Sequence, residues 1–130
     1  MREIAPPSGQ MPPATVRLGS GEEIALPPFA EGACDRHLAA HPEEVERYGE
    51  HARAWCVHDL QWLALWAVQD ADGQGVDLPT QVDWLARVLD ARGYPLASFA
   101  DGLLSLADEL RGTLPGAADL LDAGAAQVRP

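Results

Sequence analysis

Two hydrophobic periods divide this chain. Near the N-terminus, Thr15-Val16-Arg17-Leu18 and Glu23-Ile24-Ala25-Leu26 alternate polar and apolar residues on either side of Gly19-Ser20-Gly21-Glu22. Alternation around a Gly-containing turn predicts a small β-hairpin. An isolated hairpin is marginal, so this one needs the helical body or a partner to pack against. From residue 34 onward the period is helical. Cys34 to His41 forms a short helix that stops before Pro42, and Pro42 with Glu43 and Glu44 suits the first turn of another. Gly49 breaks that element, and residues 50–70 make the strongest helix of the chain. From Ala52 to Val68 it is apolar on nearly every face and carries Trp55, Trp62 and Trp66. Such a helix is normally central and buried.

Two amphipathic helices follow. Leu78, Val82, Leu85 and Leu89 form one apolar stripe after Asp77, an N-cap residue, and Pro79 in the first turn. Gly93 stops that helix and Tyr94-Pro95 turns the corner. Leu96, Phe99, Leu103, Leu106 and Leu110 repeat the spacing up to Gly112, and Thr113 and Pro115 begin a last, weaker helix around Leu120 and Leu121. No period of 20–50 residues recurs, which argues against a solenoid. The expected fold is all-α, with about five helices over residues 34–130. Residues 1–33 form a Pro-rich arm that carries the hairpin.

Composition sharpens this picture. The chain has 130 residues, a length for one domain, and residues 1–33 hold six of its eleven prolines. Pro6-Pro7, Pro12-Pro13 and Pro27-Pro28 favour extended backbone over helix. Acids outnumber bases 20 to 9, for a formal net charge of -11. That balance argues against nucleic acid and anionic lipid as partners. Every basic residue is Arg, so lysine Schiff-base chemistry is excluded. No apolar run is long enough to span a membrane, and Met1 to Pro7 lacks the apolar core of a signal peptide. Two cysteines are too few for a secreted disulfide scaffold, so Cys34 and Cys56 read as reduced thiols of a cytoplasmic protein.

Chemistry-bearing residues cluster in one third of the chain. His37 and His41, at i and i+4, share a helix face as a metal pair requires, but the glutamate of a zinc-hydrolase motif is absent. They read more simply as solvated helix-end histidines. Cys56, His58 and Asp59 suggest a nucleophile, base and acid. Helical geometry separates the first two by about 200°. Cys56 and Asp59 do share a face, one turn apart. There is no G-x-S-x-G, no phosphate-cradling Gly loop and no recognisable pair of catalytic carboxylates. The chain therefore reads as non-enzymatic, and an enzyme would need a partner chain to complete a site around Cys56. His51, Trp55, His58, Trp62 and Trp66 form a stripe along the central helix. Such a stripe is either core or a surface for a flat aromatic ligand.

The segment Trp55-Cys56-Val57-His58-Asp59-Leu60-Gln61-Trp62-Leu63-Ala64-Leu65-Trp66 resembles the chromophore-bearing helix of phycobiliproteins, which are bilin-carrying, globin-like proteins. Leu85, Leu89, Ala91, Gly93 and Pro95 follow a downstream pattern of that family, and the similarity spans about residues 45–111. The resemblance implies a globin-like domain that binds a bilin or other tetrapyrrole. Cys56 would be the thioether anchor, Asp59 the acceptor of pyrrole N–H groups, His58 the partner of a carboxylate, and Trp62 and Trp66 the packing surface. His51 or His58 would be the axial ligand if the tetrapyrrole were haem. The chain departs from the family at His58 and Leu65, where arginines stand, and in its Pro-rich arm. The expected function is a non-catalytic sensory or ligand-binding module. The alternative is a protein-interaction or scaffold subunit that keeps the fold without pigment and assembles, with itself or another chain, through its arm.

Overall fold

The computed structural model describes residue 7 and residues 9–129. The expected extended backbone at Pro6 lies outside the described residues. The hairpin forms where the alternation places it. Strand β1 (Thr15–Arg17) pairs antiparallel with β2 (Glu23–Ala25), with Val16 opposite Ile24. Val16, Ile24 and the following Leu26 are buried in the main core, so the hairpin is one wall of the body and not a detachable arm. Gln61 fixes the chain ahead of it by donating to the Pro13 carbonyl at 3.0 Å. Asp72 accepts the Gly19 N–H at 2.8 Å, and Gln74 donates to the Arg17 carbonyl.

Six helices follow: α1 (Pro27–Ala40), α2 (Glu43–Tyr48), α3 (Ala52–Ala71), α4 (Leu78–Ala91), α5 (Leu96–Leu110) and α6 (Pro115–Val128). Helix α1 begins at Pro27 and not at Cys34. Prolines open it because the first turn needs no N–H donors and takes the φ that the ring imposes. The same logic places Pro115 at the start of α6, a full 14-residue helix where only a weak one was expected. Helix α4 starts as its sequence dictates. The Asp77 side chain accepts the Thr80 N–H, and Asp70 accepts the Leu78 N–H at 2.7 Å.

Helix α5 packs against α1 and α6, while α3 lies between α1 and α6 and also touches α4. Leu63, Val68, Leu78, Val82, Leu103, Leu106, Leu110 and Leu121 fill the centre. Each such side chain contributes about 1.5–3 kcal/mol through burial. Close approach is needed where α6 crosses α4. A Cβ on Gly124 would stand 3.3 Å from the Val82 side chain. The all-round apolar α3 is buried on one face only. Leu60, Leu63, Ala64, Leu65, Ala67 and Val68 enter the core, while Trp55, Trp62 and Trp66 are half-buried along its margin. Large indoles sit at the edge because small and aliphatic residues allow the helices to approach more closely. Among the described residues, no helix is long and apolar enough to cross a membrane.

The cysteines overturn the expectation of reduced thiols. Cys34 on α1 and Cys56 on α3 are joined as a disulfide, with Cα atoms 5.9 Å apart. Sequence spacing did not show this, because the pairing depends on how α1 and α3 cross. The link closes a loop of sequence separation 22 that contains α2.

Candidate functional site

Gly49 sets the site in place. Its φ of 84° lies in the left-handed region, which lets the chain reverse between α2 and α3. The short α2 is thereby folded against the end of α1 and the start of α3. The α4–α5 corner, carrying Tyr94, closes over the same end of the molecule. Between these elements lies a cavity of about 410 Å³. Ala52, Trp55, Leu60, Leu63 and Phe99 give it mostly apolar walls, and Cys56 and Asp59 line it together from α3. The shared face expected of that pair is therefore real, although the Cys56 sulfur is already bonded to Cys34.

Polar groups collect at one end. His37 is only 2% exposed, and its Nε2 lies 2.6 Å from Glu44 Oε2. The Tyr94 hydroxyl donates to Glu44 Oε1 at 2.7 Å and lies 3.4 Å from His37 Nε2. One buried carboxylate thus receives two donors from two other elements. Burial, then the Glu44 charge, pushes the Tyr94 phenol far above its usual range, so it stays protonated and donating. Tyr48 stands beside Tyr94, ring centroids 6.1 Å apart, and also lines the cavity. Two buried polar atoms here have no partner among the described residues: His37 Nδ1 and the Tyr48 hydroxyl oxygen.

An ionised carboxylate only accepts hydrogen bonds, so His37 Nε2 is the donor in its contact with Glu44. The expectation of solvated helix-end histidines fails for His37. It holds better for His41, whose ring stacks on His37 with centroids 4.5 Å apart. His41 gives its two nitrogens to Glu43 and Asp101, each at 3.0 Å. Among the described residues, no group of three or more His, Cys, Asp or Glu side chains could hold a metal ion.

Comparison with known proteins adds no relative. No family model, curated protein or solved structure matches this chain.

The expected site residues do not share one place. Cys56 and Asp59 line the cavity, but His58 turns to the hairpin side, in a groove with Met11, Pro12 and Gln61. Its Nδ1 lies 3.1 Å from Asp59 Oδ1, and that hydrogen bond raises the His58 pKa against the cost of burial. Trp62 stacks on Trp66 at 5.6 Å, and neither lines the cavity. Trp66 instead borders a shallow groove with Trp84 of α4. His51 precedes α3 and lies 3.6 Å from Glu50 at the surface. A stripe at 51, 55, 58, 62 and 66 advances around the helix slowly enough to cross three environments. The residues that sequence reasoning missed are Glu44, Tyr48, Tyr94, Phe99 and Gly102, while His37 was noticed only as half of a metal pair. Only a His three residues after Cys34, on the same face of α1, hinted at them.

Proposed function

We infer that this chain is a non-catalytic, small-ligand-binding or sensory module, distantly globin-like in the manner of the phycobiliproteins. The observation that carries the reading is the cavity itself. It is mostly apolar, lies within the range of about 300–1,000 Å³ typical of small-molecule sites, and has a few polar groups on its walls, His37, Glu44 and Tyr94 among them. The arrangement favours compact ligands of one or two fused rings. A bilin or other tetrapyrrole fits the residues less well, because His58, Trp62 and Trp66 lie away from Cys56 and Asp59. Cys56 has sulfur to give to a thioether only when its bond to Cys34 is open, as in a reducing cytoplasm.

The test is a thermal-shift screen of planar one- and two-ring compounds, run beside Ser98→Phe, which fills the cavity from its α5 wall. Binders should raise the midpoint of the native chain and leave the variant unmoved. A parallel arm produces the protein with haem oxygenase and a bilin reductase and looks for pigment that survives denaturation. The reading is abandoned if no compound separates native from variant and the protein is colourless.

A second reading, a protein-interaction module, is favoured by one observation. Trp84 is 50% exposed on α4, beside the groove that Trp66 borders. Tryptophan is enriched in protein–protein interfaces relative to the rest of the surface. Light scattering on the native chain and Trp84→Ala tests it: a native assembly lost in the variant supports it, and a monomer in both sinks it.

A further inference from the structure

The two halves of the disulfide differ in access. Cys34 lies on the buried face of α1, is 0% exposed and takes no part in lining the cavity. Cys56 on α3 is half-buried and lines the cavity with Ala52, Trp55, Asp59 and Leu60. A thiolate opens a disulfide by attacking one sulfur directly, so the sulfur it can reach decides the product. A small molecule in the cavity meets Cys56 and not Cys34. The cavity, at about 410 Å³, has room for a low-molecular-weight thiol and none for a folded thiol-bearing protein.

The chain also supplies the return step. The Cα atoms of Cys34 and Cys56 are 5.9 Å apart, within the span of about 4.4–6.8 Å that a disulfide bridges. Packing of α1 on α3 keeps the two residues together after the bond opens. Burial of Cys34 slows its departure but does not redirect the attack, because the closed chain shields it from an incoming thiolate.

We propose that Cys56 is a site of reversible S-thiolation by a low-molecular-weight thiol that enters the cavity, with Cys34 as the resolving cysteine. The incoming thiolate bonds to Cys56 Sγ and the bond to Cys34 breaks. Its electron pair leaves on Cys34, which takes up the proton that the incoming thiol gave up. One disulfide replaces another, so the step needs no oxidant. In reverse, the Cys34 thiolate attacks Cys56 Sγ, re-forms the link and releases the thiol. Opening also removes the covalent tie across α2, whose Glu44 and Tyr48 line the same cavity. The proposal rests on the cavity of the small-ligand reading and names a covalent ligand class for it.

The test treats the full chain with excess 2-mercaptoethanol and quenches samples in acid over time. Freed thiols are then labelled with a maleimide under denaturing conditions and both cysteines mapped by mass spectrometry. Cleavage after Arg36 and Arg53 puts them on different peptides. Early samples should carry mercaptoethanol on Cys56 and maleimide on Cys34, in at least about tenfold excess over the opposite pattern, because a buried sulfur reacts only when the chain opens locally. Removing free thiol should return the adduct to the closed disulfide. Ser98→Phe, folded by circular dichroism, should slow the adduct, and a thiol-modified dextran, too large to enter, should leave the native disulfide closed. An adduct on Cys34, or equally on both cysteines, overturns the proposal and leaves the small-ligand reading standing. So does opening by the dextran at the rate of the small thiol, or an unchanged rate in folded Ser98→Phe. A disulfide that opens only when the chain unfolds overturns it as well.

Discussion

Glu44 concentrates most of what single residues decide in this molecule. Its carboxylate holds two buried donors, His37 and Tyr94, drawn from α1 and the α4–α5 corner. Glu44→Ala should cost about 2–6 kcal/mol, from two buried groups left unsatisfied at about 1–3 kcal/mol each. Tyr94→Phe removes one donor and should cost about 1 kcal/mol. Urea denaturation of the variants checks both, and equal losses would show that the three groups are not a network centred on Glu44. This network was illegible in the sequence. His37 and Glu44 lie on different helices joined by the His41-Pro42 corner, and Tyr94 arrives from 50 positions further on. Periodicity reports which face of a helix is apolar, and it is silent on polar side chains that meet only after helices cross. What it did find, the Cys56–Asp59 face, lay within one turn of one helix.

Among the elements, agreement was best where a local rule acts alone. The hairpin follows from alternation, Asp77 caps α4, and Gly93 ends it with a φ of 78°. The failures came from contacts between elements. Pro27-Pro28 opens a helix because its flanking chain is already held by the hairpin's turn into the core, and the tryptophan margin of α3 follows from how tightly its neighbours pack. Two predictions belong at this scale. Ile24→Ala should destabilise the chain by about 2–4 kcal/mol, as a core truncation does, because β2 is part of the body. A loss under about 0.5 kcal/mol by chemical denaturation would return the hairpin to the status of a loose arm. Replacing Cys34 and Cys56 together by Ser should cost about 3 kcal/mol, the loop-closure value for a 22-residue separation. Comparing that variant with the native chain with and without reductant gives the measurement; the variant should not respond to reductant.

At the scale of the whole molecule, the charge of -11 is organised by position. Arg111 is shared among Asp108, Asp119 and Asp122, and Arg36 between Asp108 and Glu109, all near the surface. Two histidines, His41 after α1 and His58 on α3, give stability a pH profile. For His41, burial opposes the charged ring, but hydrogen bonds to Glu43 and Asp101 outweigh it and raise the pKa above 6.5. For His58 the bond to Asp59 has the same effect. A raised folded-state pKa contributes stability that is complete below about pH 6.5 and lost as pH rises through the raised value. On the acid side, Asp72 is held below its ordinary 3.8 by Gln74 and Gly19, so its contribution fades as pH falls through that range. Thermal midpoints should therefore peak between about pH 5 and pH 6.5, and His41→Gln should flatten the alkaline limb. A midpoint still rising toward pH 8 would contradict the assignment. The disulfide has one more consequence at this scale. Together with the intervening backbone it makes a covalent ring that runs from Cys34 through α2 to Cys56, and His37, Glu44 and Tyr48 all belong to that ring. Tyr94 does not. The polar end of the cavity is thus a macrocycle met by one outside residue, so three of its groups stay near one another even when the chain is unfolded. The α4–α5 corner brings the fourth group, Tyr94, from outside that ring.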